Sequence, residues 1–303
     1  MQRTLFFKRL VPGEVNRAYE VKITASGKVT NAARVAATLC SQVLLATFLG
    51  GDPGRFVVRE LDAEGVRHEI VWPKDSQTRT CSTLIPDDDR ITELVEEAQP
   101  VSADDAAELE EIVRRHLPEA EALCLIGSLP HGVPEDFYAR LTRVADETGV
   151  PVLIDAQGPP LQKALAARPF LVKPNLEEAT ATLKLSPSGD EERDALAAVG
   201  TLLERGACWA LISMGAGGSL LGNSSGSLWR VVPPKLEAVN PIGSGDSLAA
   251  GLLHSLLQGS SVPEAAAYGT ACAAANVLTP TSGVVRPKDV ARLLPEVGLS
   301  RIS

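Results

Sequence analysis

Ala238-Val239-Asn240-Pro241-Ile242-Gly243-Ser244-Gly245-Asp246-Ser247 is the stretch on which the fold turns. Two glycines one residue apart let the backbone approach a ligand closely and aim successive N–H groups at it. Leu248, Leu252, Leu253, Leu256 and Leu257 follow at helical spacing, so the loop opens a helix. A helix amino end has free N–H groups and the positive end of the dipole, which suits charge developing on a transferring phosphoryl group. Asp246 falls at the junction, where its carboxylate can accept a proton from an attacking hydroxyl. The same residues also suit a plain N-capping Asp after a glycine turn. The rest of the chain has to decide between them.

Working outward, short β-rich runs alternate with helical segments. Val43–Phe48, Ala122–Ile126, Val150–Asp155, Phe170–Lys173 and Trp209–Ser213 read as strands. Pro53–Glu64, Pro134–Glu147 and Leu161–Ala167 read as helices. Alternation of this kind predicts a mostly parallel sheet covered on both faces. Two regions break it: residues 5–24 and 79–98 read as strands without helices between them. They are expected to pair into a small sheet over the carboxyl ends of the parallel strands, where ligands bind in open α/β folds. No repeat period or low-complexity linker is present, so residues 1–303 are read as one domain carrying this lid.

Composition narrows the function classes. With 45% hydrophobic and 22% charged residues over 303 positions, the chain is globular rather than disordered. A net charge of −9 without a Lys/Arg cluster argues against a nucleic-acid surface, so anionic ligands must be met by local donors. The five cysteines are widely spaced and form no Cys-x-x-Cys pair, which argues against a zinc site or a disulfide framework and suits a reducing cytoplasm. Met1–Leu10 lacks a signal peptide's apolar core, and no apolar run approaches a membrane span. The four histidines show no metal-ligand spacing.

Four further segments sit at strand ends or in the turns after strands. In Ala25-Ser26-Gly27-Lys28-Val29-Thr30-Asn31, Lys28 offers a point charge for a phosphate and Asn31 can face sugar hydroxyls; a helix cap with a solvated Lys is the alternative. Phe48-Leu49-Gly50-Gly51-Asp52-Pro53-Gly54 reads as a substrate contact or as simple turn chemistry. Gly127-Ser128-Leu129-Pro130 follows a strand and can bind a phosphate or a hydroxyl. In Lys173-Pro174-Asn175-Leu176-Glu177-Glu178, Asn175 caps a helix whose first-turn carboxylates can hold Mg²⁺ through water, or serve the cap alone. Gly215-Ala216-Gly217-Gly218 lacks the spacing of a dinucleotide fingerprint and runs into a strand, so a nucleotide-edge loop fits it better.

Together these residues resemble the PfkB (ribokinase-like) carbohydrate kinases, in the branch of 1-phosphofructokinases and tagatose-6-phosphate kinases. The resemblance covers nearly the whole chain. It is carried by Asn240–Ser247, by Lys173-Pro174-Asn175, and by Gly127–Pro130 followed by Gly132-Val133-Pro134-Glu135-Asp136-Phe137-Tyr138. It implies a three-layer α/β/α fold and ATP-dependent phosphorylation of a ketohexose monophosphate, fructose 1-phosphate first, with tagatose 6-phosphate or fructose 6-phosphate next. By the resemblance Asp246 is the base, and the amides of Gly243, Ser244 and Gly245 form the anion hole. Lys173, Asn175 and Glu178 handle the ATP phosphates and Mg²⁺, with Glu178 acting on the metal through water. Ser213, Gly215, Gly218 and Asn276 border the nucleotide. Lys28, Asn31, Arg79 and Ser128 hold the phosphosugar, and Gly50 and Gly51 its hydroxyls. The lid implies a homodimer.

The chain departs from the family pattern on the sugar side. Members begin with a strand ending in Asn-Pro-Ala-x-Asp; this sequence opens at the tail of that motif, with Gln2 near the Asp position. The expectation is that either the true start lies upstream or a core strand is lacking. Val29 stands where the family keeps Gly, and Cys81 where Asn is common. These departures motivate one alternative from another class, a non-catalytic phosphosugar or nucleotide sensor on a kinase scaffold. A Rossmann oxidoreductase is a distant third reading.

Overall fold

The computed structural model describes residues 1–87 and 91–302. Of the strand-rich region expected over 79–98, residues 88–90 lie outside the described residues. The chain opens with β1 (Gln2–Phe7) and β2 (Glu20–Thr24), followed by α1 (Lys28–Thr38). Next come β3 (Leu44–Phe48), α2 (Gly51–Ala63) and β4 (Arg67–Val71), then β5 (Cys81–Pro86) and β6 (Thr92–Val95). β1 pairs parallel with β5 and antiparallel with β2, and β5 pairs antiparallel with β6, giving a four-stranded sheet of order β2-β1-β5-β6.

The larger sheet is laid down after α3 (Ala103–His116), whose start is fixed by a reciprocal cap between Ser102 and Asp105. β7 (Leu123–Ile126), α4 (Phe137–Glu147), β8 (Val152–Asp155), α5 (Gly158–Leu165) and β9 (Leu171–Val172) repeat the strand–helix unit. α6 (Leu176–Leu183) and α7 (Glu191–Glu204) precede β10 (Trp209–Ser213). β7 to β10 are parallel, as residues buried on both faces require. β11 (Ser219–Asn223) and β12 (Leu228–Val232) extend the sheet antiparallel, because the Met214–Gly218 and Asn223–Ser227 turns are too short for a crossover. α8 (Ser244–Leu257), α9 (Val262–Val277) and α10 (Pro287–Leu293) follow, and β13 (Gly298–Arg301) closes the order β13-β12-β11-β10-β9-β8-β7.

The sheet therefore divides two cores. One holds Leu125, Ile154, Val172 and Ile212 with Leu141, Leu161, Ala179 and Val199 from α4, α5, α6 and α7. The other holds Leu153, Leu171 and Leu211 with Val35, Leu252, Ala271 and Val290 from α1, α8, α9 and α10. This is a three-layer α/β/α arrangement.

The position of α8 matters most, and small residues set it. Ala- and Gly-rich α8 and α9 pack closely, and a Cβ on Gly269 would lie 2.5 Å from the Leu248 carbonyl oxygen and 3.0 Å from the Leu252 nitrogen. Both are backbone atoms of α8, so neither can rotate aside. Gly269→Ala is expected to cost about 1–3 kcal/mol, measured as a lowered urea midpoint. An unchanged midpoint would show that α8 is not held this tightly.

Candidate functional site

Asn240 shapes the loop into α8: its Oδ1 accepts from the Ile242 amide at 3.0 Å, and its Nδ2 donates to the Pro280 carbonyl at 3.0 Å. Gly243 then takes φ 83°, in the left-handed region that favours glycine, and α8 starts at Ser244. Among the described residues, the amides of Gly243 and Gly245 have no protein acceptor. The Ser244 amide does: it donates to the Pro241 carbonyl at 3.2 Å. Of the three amides expected to form an anion hole, two are open and the third is engaged in the turn.

Asp246 lies in the first turn of α8 and is 6% exposed. Its Oδ2 accepts from Asn31 Nδ2, on α1, at 2.8 Å. Burial first, and the Asp155 charge second, push the Asp246 carboxyl up to about 6, against the pull of Asn31, Lys28 and Lys173. A carboxylate poised there can take a proton near neutral pH.

Asp155, the last residue of β8, was not singled out from the sequence, yet it organises the cluster. It is 2% exposed. Its Oδ2 lies 2.9 Å from Lys173 Nζ, and its Oδ1 lies 3.9 Å from Lys28 Nζ and has no hydrogen-bond partner. Lys173 follows β9, and its ammonium lies 3.6 Å from where a Gly245 Cβ would sit. A Cβ at 245 would meet that ammonium at ordinary van der Waals distance, with no room left for a longer side chain to stay clear of it.

Asn175 and Glu178 cap α6 reciprocally, at 2.8 and 3.0 Å. Glu178 also takes Lys28 Nζ at 3.0 Å. Burial works to raise the Glu178 carboxyl, but the Asn175 amide and Lys28 outweigh it and hold it below the usual range. Burial works to lower Lys28, but Asp155 and Glu178 outweigh it and the ammonium is held above its usual range. Lys28 therefore bridges Asp155 and Glu178.

These groups share one cavity of about 1960 Å³ at the carboxyl ends of the parallel strands. Its lining includes Lys28, Asn31, Lys173, Asn175, Glu178, Gly243, Gly245 and Asp246. Gly50, Arg79, Ser128, Ser213 and Gly215 line it as well. Ser244, Gly51, Gly218 and Asn276 do not. Gly51 is the first residue of α2, and Gly218 closes the turn into β11. Asn276 is fully buried behind the loop: it donates to the Ile242 carbonyl at 2.9 Å and to Ser244 Oγ at 3.2 Å, and accepts from the Gly283 amide at 2.8 Å. All of its polar atoms are spent holding the mouth of α8. Among the described residues no group of three or more His, Cys, Asp or Glu side chains is arranged to hold a metal ion.

A buried carboxylate, open helix-terminal amides and a paired lysine thus stand together at the carboxyl end of a parallel sheet, the kind of groups that phosphoryl transfer uses. The model of the pfkB family carbohydrate kinases matches residues 2–289. Phosphofructokinase-2 from Escherichia coli, solved with substrates and products, is 25% identical with a TM-score of 0.85, over 97% of this chain and 95% of that one. The same enzyme has been solved with fructose-6-phosphate. A protein described as "Possible 1-phosphofructokinase" from Thermotoga maritima shares the fold at 20% identity and a TM-score of 0.88, over 100% and 96% of the two chains. Arabidopsis thaliana ribokinase, solved with ribose and ATP, shares it at 22% identity and 0.77, over 97% and 95%. The chain belongs to the pfkB family of carbohydrate kinases and has its ribokinase-like fold; it is an ATP-dependent sugar-phosphate kinase. Among the described residues no helix is long and apolar enough to cross a membrane.

The raised Asp246 carboxyl also has a stability consequence. A folded-state value above the unfolded one stabilises the fold while the group is protonated, and that contribution is lost as pH rises through about 6. Asp246→Asn, which keeps a polar partner for Asn31, is expected to be more stable than the wild type at pH 8, by about 3 kcal/mol. The difference should vanish toward pH 4 in thermal or urea unfolding. Equal stability at pH 8 would contradict the buried charge.

Proposed function

We propose that the protein transfers the γ-phosphoryl group of ATP to a hydroxyl of a ketohexose monophosphate. Fructose 1-phosphate is the first candidate, and tagatose 6-phosphate and fructose 6-phosphate the next. The observation that carries this reading is the buried Asp246 carboxylate at the mouth of α8, beside unengaged amides and the Lys173–Asp155 pair. Asp246 removes the acceptor hydroxyl's proton as the phosphoryl group arrives. The Gly243 and Gly245 amides, with the dipole of α8, meet the charge that builds on that group. Lys173 steadies the transferring phosphate, and its neutralisation by Asp155 keeps the buried cluster near charge balance.

Magnesium fits the residues present. Asp155 Oδ1 is a buried carboxylate oxygen without a hydrogen-bond partner, and Glu178 stands across Lys28 from it. Mg²⁺ needs few protein ligands and keeps most of its waters. Asp155, and Glu178 through water, are the residues that would hold it, and the ion would supply positive charge to the ATP phosphates. Lys28, Arg79 and Ser128 face the cavity and suit the phosphate of the sugar, with Gly50 at its hydroxyls. Asn31 reaches the same space while orienting Asp246. Ser213 and Gly215 suit the nucleotide edge, with Gly218 closing the turn behind them, Gly51 opening α2 beside Gly50, and Asn276 and Ser244 bonded together at the loop into α8.

Asp246→Asn is expected to leave ATP affinity nearly unchanged and to cut turnover about 100-fold or more. ADP release over a panel of sugar phosphates, with thermal-shift binding alongside, measures this and identifies the acceptor. Turnover within a few-fold of wild type would contradict the assignment of the base. Binding without turnover across the panel would favour a sensor instead.

The chain is further read as one unit in which the β2-β1-β5-β6 sheet is a lid, since Gln2, Cys81, Glu93 and Val95 of that sheet line the cavity. Val21, Ile23 and Leu94 lie on the opposite face of that sheet and are about half exposed (45–55%), an apolar face suited to a second copy. A cytoplasmic setting suits the unpaired cysteines. Sedimentation is expected to give a dimer of the 31.9 kDa chain, converted to monomer by Val21→Asp with Leu94→Asp. A monomeric wild type would contradict the lid interface.

A further inference from the structure

Asp246 is held by a directed contact that is ambiguous on its own. Among the described residues, the Asn31 Nδ2 bond is the one hydrogen bond to its carboxylate. A carboxamide has a donor end and an acceptor end of nearly the same size, so its partners decide which end goes where. Turned over, Asn31 would set Oδ1 against the carboxylate, an arrangement that only a protonated Asp246 could satisfy.

Behind Asn31 stand two hydroxyls from distant parts of the chain. Ser26 Oγ, in the turn before α1, lies 3.2 Å from Asn31 Oδ1. Ser282 Oγ, in the loop between α9 and α10, lies 3.1 Å from Ser26 Oγ. That loop is fixed in place. The Gly283 amide donates to Asn276 Oδ1 at 2.8 Å, and the Gly283 backbone lies so close to α1 that a Cβ there would fall 2.6 Å from Asn31 Cβ. Ser282 itself is buried, and among the described residues Ser26 is its one side-chain hydrogen-bond partner.

Proton counting gives this row a direction. Each hydroxyl carries one proton, and a buried donor without an acceptor is costly. Ser282 therefore donates to Ser26, Ser26 donates to Asn31 Oδ1, and Nδ2 is left for Asp246. Reversal would strand the Ser282 proton at the closed end of the row. All the donors thus point toward the carboxylate, and each polarises the next.

We infer that Ser282 and Ser26 are positioning residues: acting through Asn31, they keep its donor end on Asp246 and hold that carboxylate in one orientation as the proton acceptor. The inference rests on the reading of Asp246 as the base. Neither serine bonds Asp246 itself. The row ties the loop after α9, on one side of the site, to the first turns of α1 and α8 on the other.

Ser26→Ala, Ser282→Ala and the double variant test it in two ways. In steady-state kinetics with ATP and the sugar phosphate of highest turnover, Ser26→Ala is expected to lower kcat about tenfold or more, with KM for ATP little changed. Ser282→Ala is expected to lower it less. Because Ser282 acts through Ser26, its loss is expected to change nothing further in the Ser26→Ala background. Simple packing roles would instead make the two losses add. The second measurement needs no ligand: NMR of the Asn31 carboxamide, its signals assigned by their loss in Asn31→Ala. Exchange of the Nδ2 protons is expected to be about tenfold or more faster in each single variant than in the wild type. Unchanged exchange in either would overturn the inference whatever the kinetics. So would additive losses in the double variant, or an unchanged kcat in Ser26→Ala beside an inactive Asp246→Asn. Turnover retained in Asp246→Asn would remove the reading of the base instead, and exchange at Asn31 then decides the serine row alone.

Discussion

A single carboxylate held out of water at the amino end of a helix is the constraint around which the molecule is arranged. Asp246 is expensive where it stands, because burial and the nearby Asp155 both oppose its charge. The fold meets that cost with a directed bond from Asn31, the dipole of α8 and the Lys173 ammonium. The groups that favour and oppose this charge come from different parts of the chain. α1 brings Asn31, β8 brings Asp155, and the turn after β9 brings Lys173. The parallel strand–helix units exist, in effect, to bring these ends together.

Asp155 is the hinge of that electrostatic balance. It neutralises Lys173, takes part of Lys28, and raises Asp246. The same carboxylate therefore tunes the base and leaves an oxygen free for a cation. Lys28, bridging Asp155 and Glu178, occupies part of the anionic ground that a metal and a phosphate would share. Such an arrangement favours function over stability, since a neutral residue at 246 would fold more comfortably at neutral pH.

Much of this was legible in the sequence, and the reasons are local. Trp209–Ser213 is an uninterrupted apolar run, and it forms a strand over the same residues. The Asn175-to-Glu178 spacing shows as a capping pair, and the glycines before Asp246 show as a ligand-facing turn. The helix read from Pro134 starts at Phe137, because the Phe137 amide first closes a turn onto the Pro134 carbonyl. What stayed hidden is what only packing decides. Asp155 ends a strand with no motif around it, and its importance comes from Lys173 on the next strand. Asn276 could be placed near the nucleotide but not behind the loop, since the bonds to Ile242 and Gly283 are set by the tertiary fold. The engaged Ser244 amide is likewise a matter of how the loop closes once its neighbours are in place.

The decisive measurement for a buried, Asp155-tuned Asp246 is the pH dependence of kcat/KM for ATP-driven sugar phosphorylation, compared between wild type and Asp155→Asn. The wild type is expected to show an acid limb near pH 6, moved to lower pH when the Asp155 charge is removed. A wild-type limb in the ordinary carboxylate range near pH 4, or a limb near 6 that ignores Asp155, would contradict it.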